Sequence, residues 1–392
     1  MRKAGLVIGV VLLAAGVVWA EQVTLTVITP WSGKELEAFE PVMAAAEAAL
    51  GIEIEHLTYR AEDLATLLPA QFAAGTAPGD VIFMWAWFIA AQAREGHIME
   101  VTDLIEVSDF SPGVLDLVTV DGGLYGAAYT GKVKPGFWYR KSFFAAHGLA
   151  VPTTWAEFLA LVETIQGIDG VKAAIASGDG VGWPLSDVTE HFLATFGAPQ
   201  LHRDLTAGTI PWTDPVVAGI FKGRLVPLLE AGYFSEPTEW TVILESWWNG
   251  DYGLYFMGSW ITGMVEDPDD LGVFSLPGNL GLVFCADYAF VPTYTQHPDA
   301  ARALLEFLAT EGQEIQVQQG GHIATYLPVS LDLYPPVDRA AAETMVGKVA
   351  LYDLDDAIGG EFQRAFWDQL KLLWVEPGRV DEVLEVLEEK AP

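Results

Sequence analysis

The order of apolar patterns along the chain predicts an α/β fold in two lobes. Strand and helix patterns alternate from residue 24 onward, as they do where helices connect mostly parallel strands. The 392 residues include a single cysteine, so the fold needs a large ordinary core in place of disulfides, and the chain is long enough for two lobes. Gly/Pro-marked stretches recur without any low-complexity linker. The lobes are therefore expected to be joined by several short crossings instead of one tether.

Thr24 to Thr29 alternates threonine with apolar residues and reads as the first strand. Glu35 to Leu50 is alanine-rich with a helical stripe, and Gly51 follows as its cap. Ile52 to Leu57 alternates again, a second strand. From Leu64 the spacing is helical until Gly75, placed where left-handed geometry ends a helix. Pro78 and Gly79 turn the chain into Val81–Met84, a continuous apolar run expected of a strand buried on both faces. Trp85 and Trp87 follow at its carboxyl end, the end that borders the ligand crevice in open α/β sheets.

Asp121-Gly122-Gly123-Leu124-Tyr125-Gly126-Ala127 reads as a tight turn feeding a short strand. Gly131 to Gly136 is expected to cross between lobes, with a new strand at Gly136–Tyr139. Thr154 and Glu157 have capping-box spacing at a helix start. From Thr153 to about Leu229 the pattern is mainly helical with glycine breaks. Tyr252 to Trp260 is a strand ending in a turn, and Phe284 to Pro292 is another strand. Asp299–Leu308 and Asp381–Lys390 are helices, the latter acid-rich.

Arg2 and Lys3, an apolar stretch from Ala4 to Val18 and the small-residue ending Val18-Trp19-Ala20 predict an export signal over residues 1–20, cleaved after Ala20. No cysteine near that point could carry a lipid, so a freely soluble periplasmic protein is expected. The formal charge is -33, and -35 once residues 1–20 are removed. Lys and Arg never cluster, which excludes nucleic acid and anionic membrane as partners. The seven histidines are scattered without metal-ligand spacing, so neither a metal nor a cofactor is expected. Gly-x-Ser-x-Gly is absent.

Several segments, in order, resemble the extracellular solute-binding proteins of ABC transporters, in the family that includes maltose- and other sugar-binding members. They are Phe72-Ala73-Ala74-Gly75-Thr76-Ala77-Pro78-Gly79-Asp80-Val81, Asp121–Gly126, Pro152-Thr153-Thr154-Trp155-Ala156-Glu157, Met257-Gly258-Ser259-Trp260 and the late helix from Ala300 to Leu308. Gly79 is an insertion in the usual Pro-Asp pair, and Arg140 stands where an asparagine is usual. The resemblance implies a periplasmic-binding-protein fold. Each lobe would hold a mixed, mostly parallel sheet flanked by helices, with the ligand cleft between lobes. One lobe would comprise about 23–128 plus 283–325, the other about 129–282 plus 326–392. It further implies capture of a solute by hinge closure, delivery to a membrane permease, and no enzymatic step. The receptor is expected to be a monomer.

The 14 Trp and 12 Tyr suit a sugar: flat rings cover apolar C–H faces while carboxylates bond the hydroxyl rim. Trp31 and Glu35 follow the first strand at its carboxyl end. Trp85 and Trp87 would point one way if their strand persists. Tyr129 borders the first crossing. Trp183 and Asp187 share a loop, Trp247 and Trp248 precede an Asn-Gly turn, and Trp155 and Trp240 read as structural. The resemblance adds Asp80 on a sugar hydroxyl and Trp260 in the ligand-facing turn. It also adds Asp287 and Tyr288 at the second crossing, Tyr326 at the third, and Arg364, which could equally pair with Glu361 or Asp368. A neutral oligosaccharide such as a glucose-containing disaccharide is the expected solute. A polyol, or a polyamine held by Asp80, Asp187 and Asp287, is the alternative, and a secreted glycoside hydrolase, needing two flanking carboxylates, the remaining one.

Overall fold

The computed structural model describes residues 22–180 and 182–392, and the expected export signal lies outside them. In chain order the elements that frame the site are β1 (Thr24–Thr29), α1 (Lys34–Leu50), β2 (Glu53–Thr58), α2 (Ala61–Ala73), β3 (Val81–Met84), α3 (Ala86–Arg94), β4 (Ala127–Val133) and β5 (Gly136–Arg140). There follow α4 (Trp155–Gln166), β6 (Ala173–Ala176), α5 (Trp183–Phe196), α6 (Ala198–Thr206), α7 (Trp240–Trp248), β7 (Tyr252–Met257), β8 (Leu271–Phe274) and β9 (Gly281–Phe290). The last are α8 (Pro298–Ala309), α9 (Glu311–Val317), β10 (Ile323–Ala324), β11 (Val349–Leu351), α10 (Leu354–Ile358), α11 (Gly360–Val375) and α12 (Val380–Lys390).

The first sheet runs β10–β4–β9–β3–β1–β2, with β11 paired to the start of β9. β1 is parallel to both β2 and β3, as the βαβαβ pattern requires, and β9 enters antiparallel between β3 and β4. The second sheet runs β8–β5–β7–β6. It is mixed, with β7 parallel to β6 and β5 antiparallel to both neighbours. Lys134 and Pro135 carry the chain from β4 into β5, and residues 275–280 return it from β8 to β9. A strand fed directly across a crossing arrives without a helical connection, which is why the antiparallel pairings cluster there.

The local devices are those the chain order suggests. Gly51 takes left-handed geometry (φ 67°) after α1 and donates its N–H to Glu47 O. Each of the four β3 residues is buried, between α-helical layers. The capping box is displaced by one residue: Thr154 Oγ1 accepts the Glu157 N–H at 3.2 Å, but the Glu157 carboxylate reaches the Thr153 N–H and hydroxyl, both at 2.7 Å. β6 lies inside the stretch read as mainly helical. Its sequence Ala-Ala-Ile-Ala carries little β-branched bulk, and its burial on both faces overrides that local preference. α5 is buried from Pro184 to Ala194, so its polar residues Ser186, Asp187, Glu190 and His191 must find partners inside the molecule.

Candidate functional site

In the first sheet the carboxyl ends of β1, β3 and β4 point the same way, toward the crossings. β3 stops at Met84, and Trp85 is already the N-cap of α3. The strand therefore does not persist through Trp87, and the two rings are aligned by the helix start instead. They stack at 5.6 Å with 21° between planes, Trp85 half-buried and Trp87 51% exposed.

Asp287 lies beside this pair, because Tyr288 is in register with Met84. Opposite it, β4 carries an extra residue: pairing passes from Ala286↔Gly131 to Tyr288↔Ala128. Such a bulge re-aims the side chains around it. Asp287 Oδ2 is buried without a hydrogen-bond partner. Burial pushes its carboxyl up to about 6, with Lys132 pulling it down and Glu35 pushing it further up. Lys132, at the end of β4, pairs with Glu35 at the start of α1 at 2.8 Å.

The second sheet contributes an aromatic group of its own. Trp183 opens α5, Trp240 opens α7 and Trp260 sits in the turn after β7. The Trp183 ring lies 5.7 Å from Trp240 and 5.5 Å from Trp260, tilted to each. Gly258 is required under Trp260, since a β-carbon there would fall 1.8 Å from the ring. Tyr255 donates its hydroxyl to Trp240 O at 3.0 Å, fixing the start of α7. Across the first crossing, Val133 donates its N–H to Ser259 Oγ at 3.3 Å. The Lys134 ammonium lies 5.8 Å from the Trp183 ring centre.

Other sequence candidates lie elsewhere. Trp31 is 3% exposed and packs edge-on against Phe39 at 4.8 Å, near Phe83 and Tyr129. Tyr129 is buried and donates to Gln316 Oε1 at 2.9 Å. Tyr288 is buried with its hydroxyl on Val114 O at 2.7 Å. Trp247 is core, with Trp248 half-buried beside it at 5.9 Å. Tyr326 is partly buried against Phe110 at 5.4 Å.

Asp80 stands at the amino end of β3, about 17 Å along the chain from Trp85. There it accepts from the Thr26 N–H at 2.9 Å and the Thr295 hydroxyl at 2.5 Å, lining a cavity of about 140 Å³. Asp187 is buried against Lys134. Arg364 is exposed on α11, whose Glu361 pairs with Lys390 at 3.5 Å.

Sequence reasoning missed Lys132 and Lys134, and it read Trp240 as structural. The signal was there: two lysines at alternate positions inside an apolar run, Gly131-Lys132-Val133-Lys134-Pro135, have no place in a buried strand without carboxylate partners. Asp187, Glu190 and Asp353 converge as they would around a cation, and the Lys134 ammonium fills that place. Burial pushes the Cys285 thiol well above its ordinary value, so it is no thiolate nucleophile. Rings so placed can cover flat apolar faces, and carboxylates beside them can accept hydrogen bonds from hydroxyls.

The model of the bacterial extracellular solute-binding protein family matches residues 31–315. An uncharacterized ABC transporter extracellular-binding protein of Pyrococcus horikoshii is 55% identical over 374 residues, covering 95% of this chain and 89% of that protein. The alpha-glucosides-binding periplasmic protein of Rhizobium meliloti is 25% identical over 88% of this chain and 82% of its own length. Among solved structures, the bacterial solute receptor AcbH superposes with a TM-score of 0.78 at 17% identity. That match covers 94% of this chain and 98% of the receptor, a likeness of fold.

Proposed function

The chain belongs to the bacterial extracellular solute-binding protein family, and from that premise we propose that the solute it captures is a neutral oligosaccharide, such as a glucose-containing disaccharide. It is a substrate-binding receptor of an ABC transporter and not an enzyme. The observation that supports a sugar is the pair of aromatic groups on the two sheets, Trp85 with Trp87 and Trp183 with Trp240 and Trp260. Each is rimmed by charged groups, Asp287 with Lys132 and Glu35 on one side and Lys134 on the other. Two ring platforms suit a ligand with two apolar faces and hydroxyls between them. The alpha-glucoside binding named for the Rhizobium relative points the same way.

A polyamine would need carboxylates free to face it. Of the three carboxylates expected to hold it, Asp80 is tied down at the far end of β3 and Asp187 is neutralised by Lys134, which leaves Asp287 with its unpartnered oxygen as a single acceptor, too few for a polycation and enough for a sugar hydroxyl. The receptor acts by closing its two lobes, about 23–128 plus 283–325 and 129–282 plus 326–392, over the solute and presenting it to the permease as a monomer. Residues 1–20 direct it to the periplasm.

Thermal unfolding of residues 21–392 against disaccharides, monosaccharides, polyols and spermidine tests the reading. A ligand at about 100 times its dissociation constant adds about 2.7 kcal/mol and raises Tm by a few degrees. A shift with glucose-containing disaccharides is the expected result. A shift with spermidine alone, or with none of the panel, overturns it.

A further inference from the structure

Lys134 lies at the first crossing between β4 and β5, and it is buried. Its ammonium contacts Asp187 on α5 and Asp353, which sits between β11 and α10. Around this contact the buried helices bring in Glu190 and Asp355, so that four buried carboxyl groups share a single ammonium. His202 on α6 bonds Glu190 at 2.6 Å, but burial holds its imidazole down to about 4, so it adds no positive charge. From β9, Cys285 Sγ lies 3.6 Å from Asp353, and α11 presents only the neutral donors Trp367 and Gln363 to Asp355. Asp356, on the outer side of α10, bonds Gln363.

Hydrogen counting fixes the state of this cluster. Ser186 Oγ lies 2.6 Å from Asp355 Oδ1 and 3.2 Å from Glu190 Oε1, yet a hydroxyl has one hydrogen to give. Carboxylate oxygens of Asp353 lie within 4.8 Å of those of Glu190 and of Asp355, and carboxyl groups so close together inside the molecule do not all ionise beside a single ammonium. Lys134 contacts Asp187 and Asp353, which are the ionised members, so Glu190 and Asp355, which it does not contact, are the acids. Burial, reinforced by the charge of Asp353, pushes both of their carboxyls well up. Asp187 Oδ2 and Asp353 Oδ1 receive no N–H or hydroxyl donor.

We propose that this cluster is a proton-holding clasp on the crossing: Glu190 and Asp355 each keep a proton while Lys134 is seated, and opening of the crossing releases them. The inference rests on the reading of the crossings as the hinge. Release leaves four mutually repelling carboxylates about Lys134, so a rising pH favours the unclasped form.

Backbone hydrogen exchange at residues 131–136 and 275–281, followed without any ligand from pH 5.5 to 9 and corrected for the intrinsic rate, reads the clasp. The opening constant is expected to rise by about tenfold per pH unit for each proton released. In the double variant Glu190→Gln/Asp355→Asn, whose amides keep a donor and cannot titrate, the rise should be abolished. A pH-independent opening constant in the unaltered protein overturns the proposal even if the variant does not fold. Addition of calcium or sodium that suppresses opening at pH 8 overturns it too, in favour of a cation site. No sugar enters these measurements, so their failure leaves the solute reading standing, and a negative sugar panel leaves the clasp standing.

Discussion

Trp31 comes soon after β1 and Trp87 soon after β3, yet one ring is 3% exposed and the other 51%. The difference is what each ring meets: Trp31 falls against Phe39 and Phe83, whereas Trp87 stacks on Trp85 at the start of a helix. Trp31→Ala is expected to cost about 3–5 kcal/mol in chemical denaturation, as for other buried aromatics. Trp87→Ala should leave the denaturation midpoint unchanged while weakening sugar binding by about tenfold in calorimetric titration, and an unchanged affinity would remove it from the site. Asp287 is a sharper case. Its carboxyl is raised to about 6 by burial, so the stability it contributes is full below its ordinary range and is lost as pH climbs through 6. Asp287→Asn should therefore raise Tm at pH 8 and leave it unchanged at pH 4, and a loss of Tm at pH 8 would show that the charge is satisfied. Position after a strand was legible in the sequence at both tryptophans. Which ring is core was not, because that depends on Phe39, Phe83 and Tyr129 arriving from three other elements.

At the scale of elements, β1, α1, β2 and β3 were legible because each carries its own pattern: alternation, a helical stripe ended by Gly51, and an apolar run. β6 was not, since four small residues gain their strand only from β7 beside them. The turn after β7 joins local chemistry to the site. Gly258 lets the Trp260 ring fold back over the backbone toward Trp183, and Gly258→Ala places a methyl within 1.8 Å of that ring. The expected result is a folded protein whose sugar affinity falls at least as far as in Trp260→Ala. Full affinity in Gly258→Ala would mean that the ring position does not matter to binding. The cluster about Lys134 was the least legible part, because its members sit at 134, 187, 190, 353 and 355, with no spacing rule to link them.

Over the whole molecule, the charge of -33 and the buried acids act in the same direction. Glu190 and Asp355 are raised well above their ordinary values, and Asp287 and Asp356 to about 6, burial being the largest cause in each case. Between pH 4 and those values these acids hold more protons in the folded chain than in the unfolded one, while the buried imidazoles of His191, His202 and His322, held down to about 3, 4 and 3, hold fewer; the two contributions oppose each other up to about pH 6.5, and above it the raised acids alone make stability fall as pH rises. Tm is accordingly expected to be higher at pH 7 than at pH 9, and added salt should narrow the gap by screening the surface charge. A Tm that climbs from pH 7 to pH 9 would contradict this sign.

The placement of β9 has a consequence for the order in which the molecule can be assembled. It lies between β3 and β4 in the first sheet, although some 150 residues of chain separate it from β4. A chain emerging from its amino end can pair β1 with β2 and β3, but β3 and β4 stay unjoined until residue 290 has appeared. The whole second sheet precedes that moment. The first sheet thus waits, open along the line of its future centre, for a strand made after the second sheet is complete. A chain threaded through a membrane before folding has its longest-range pairing protected from closing early.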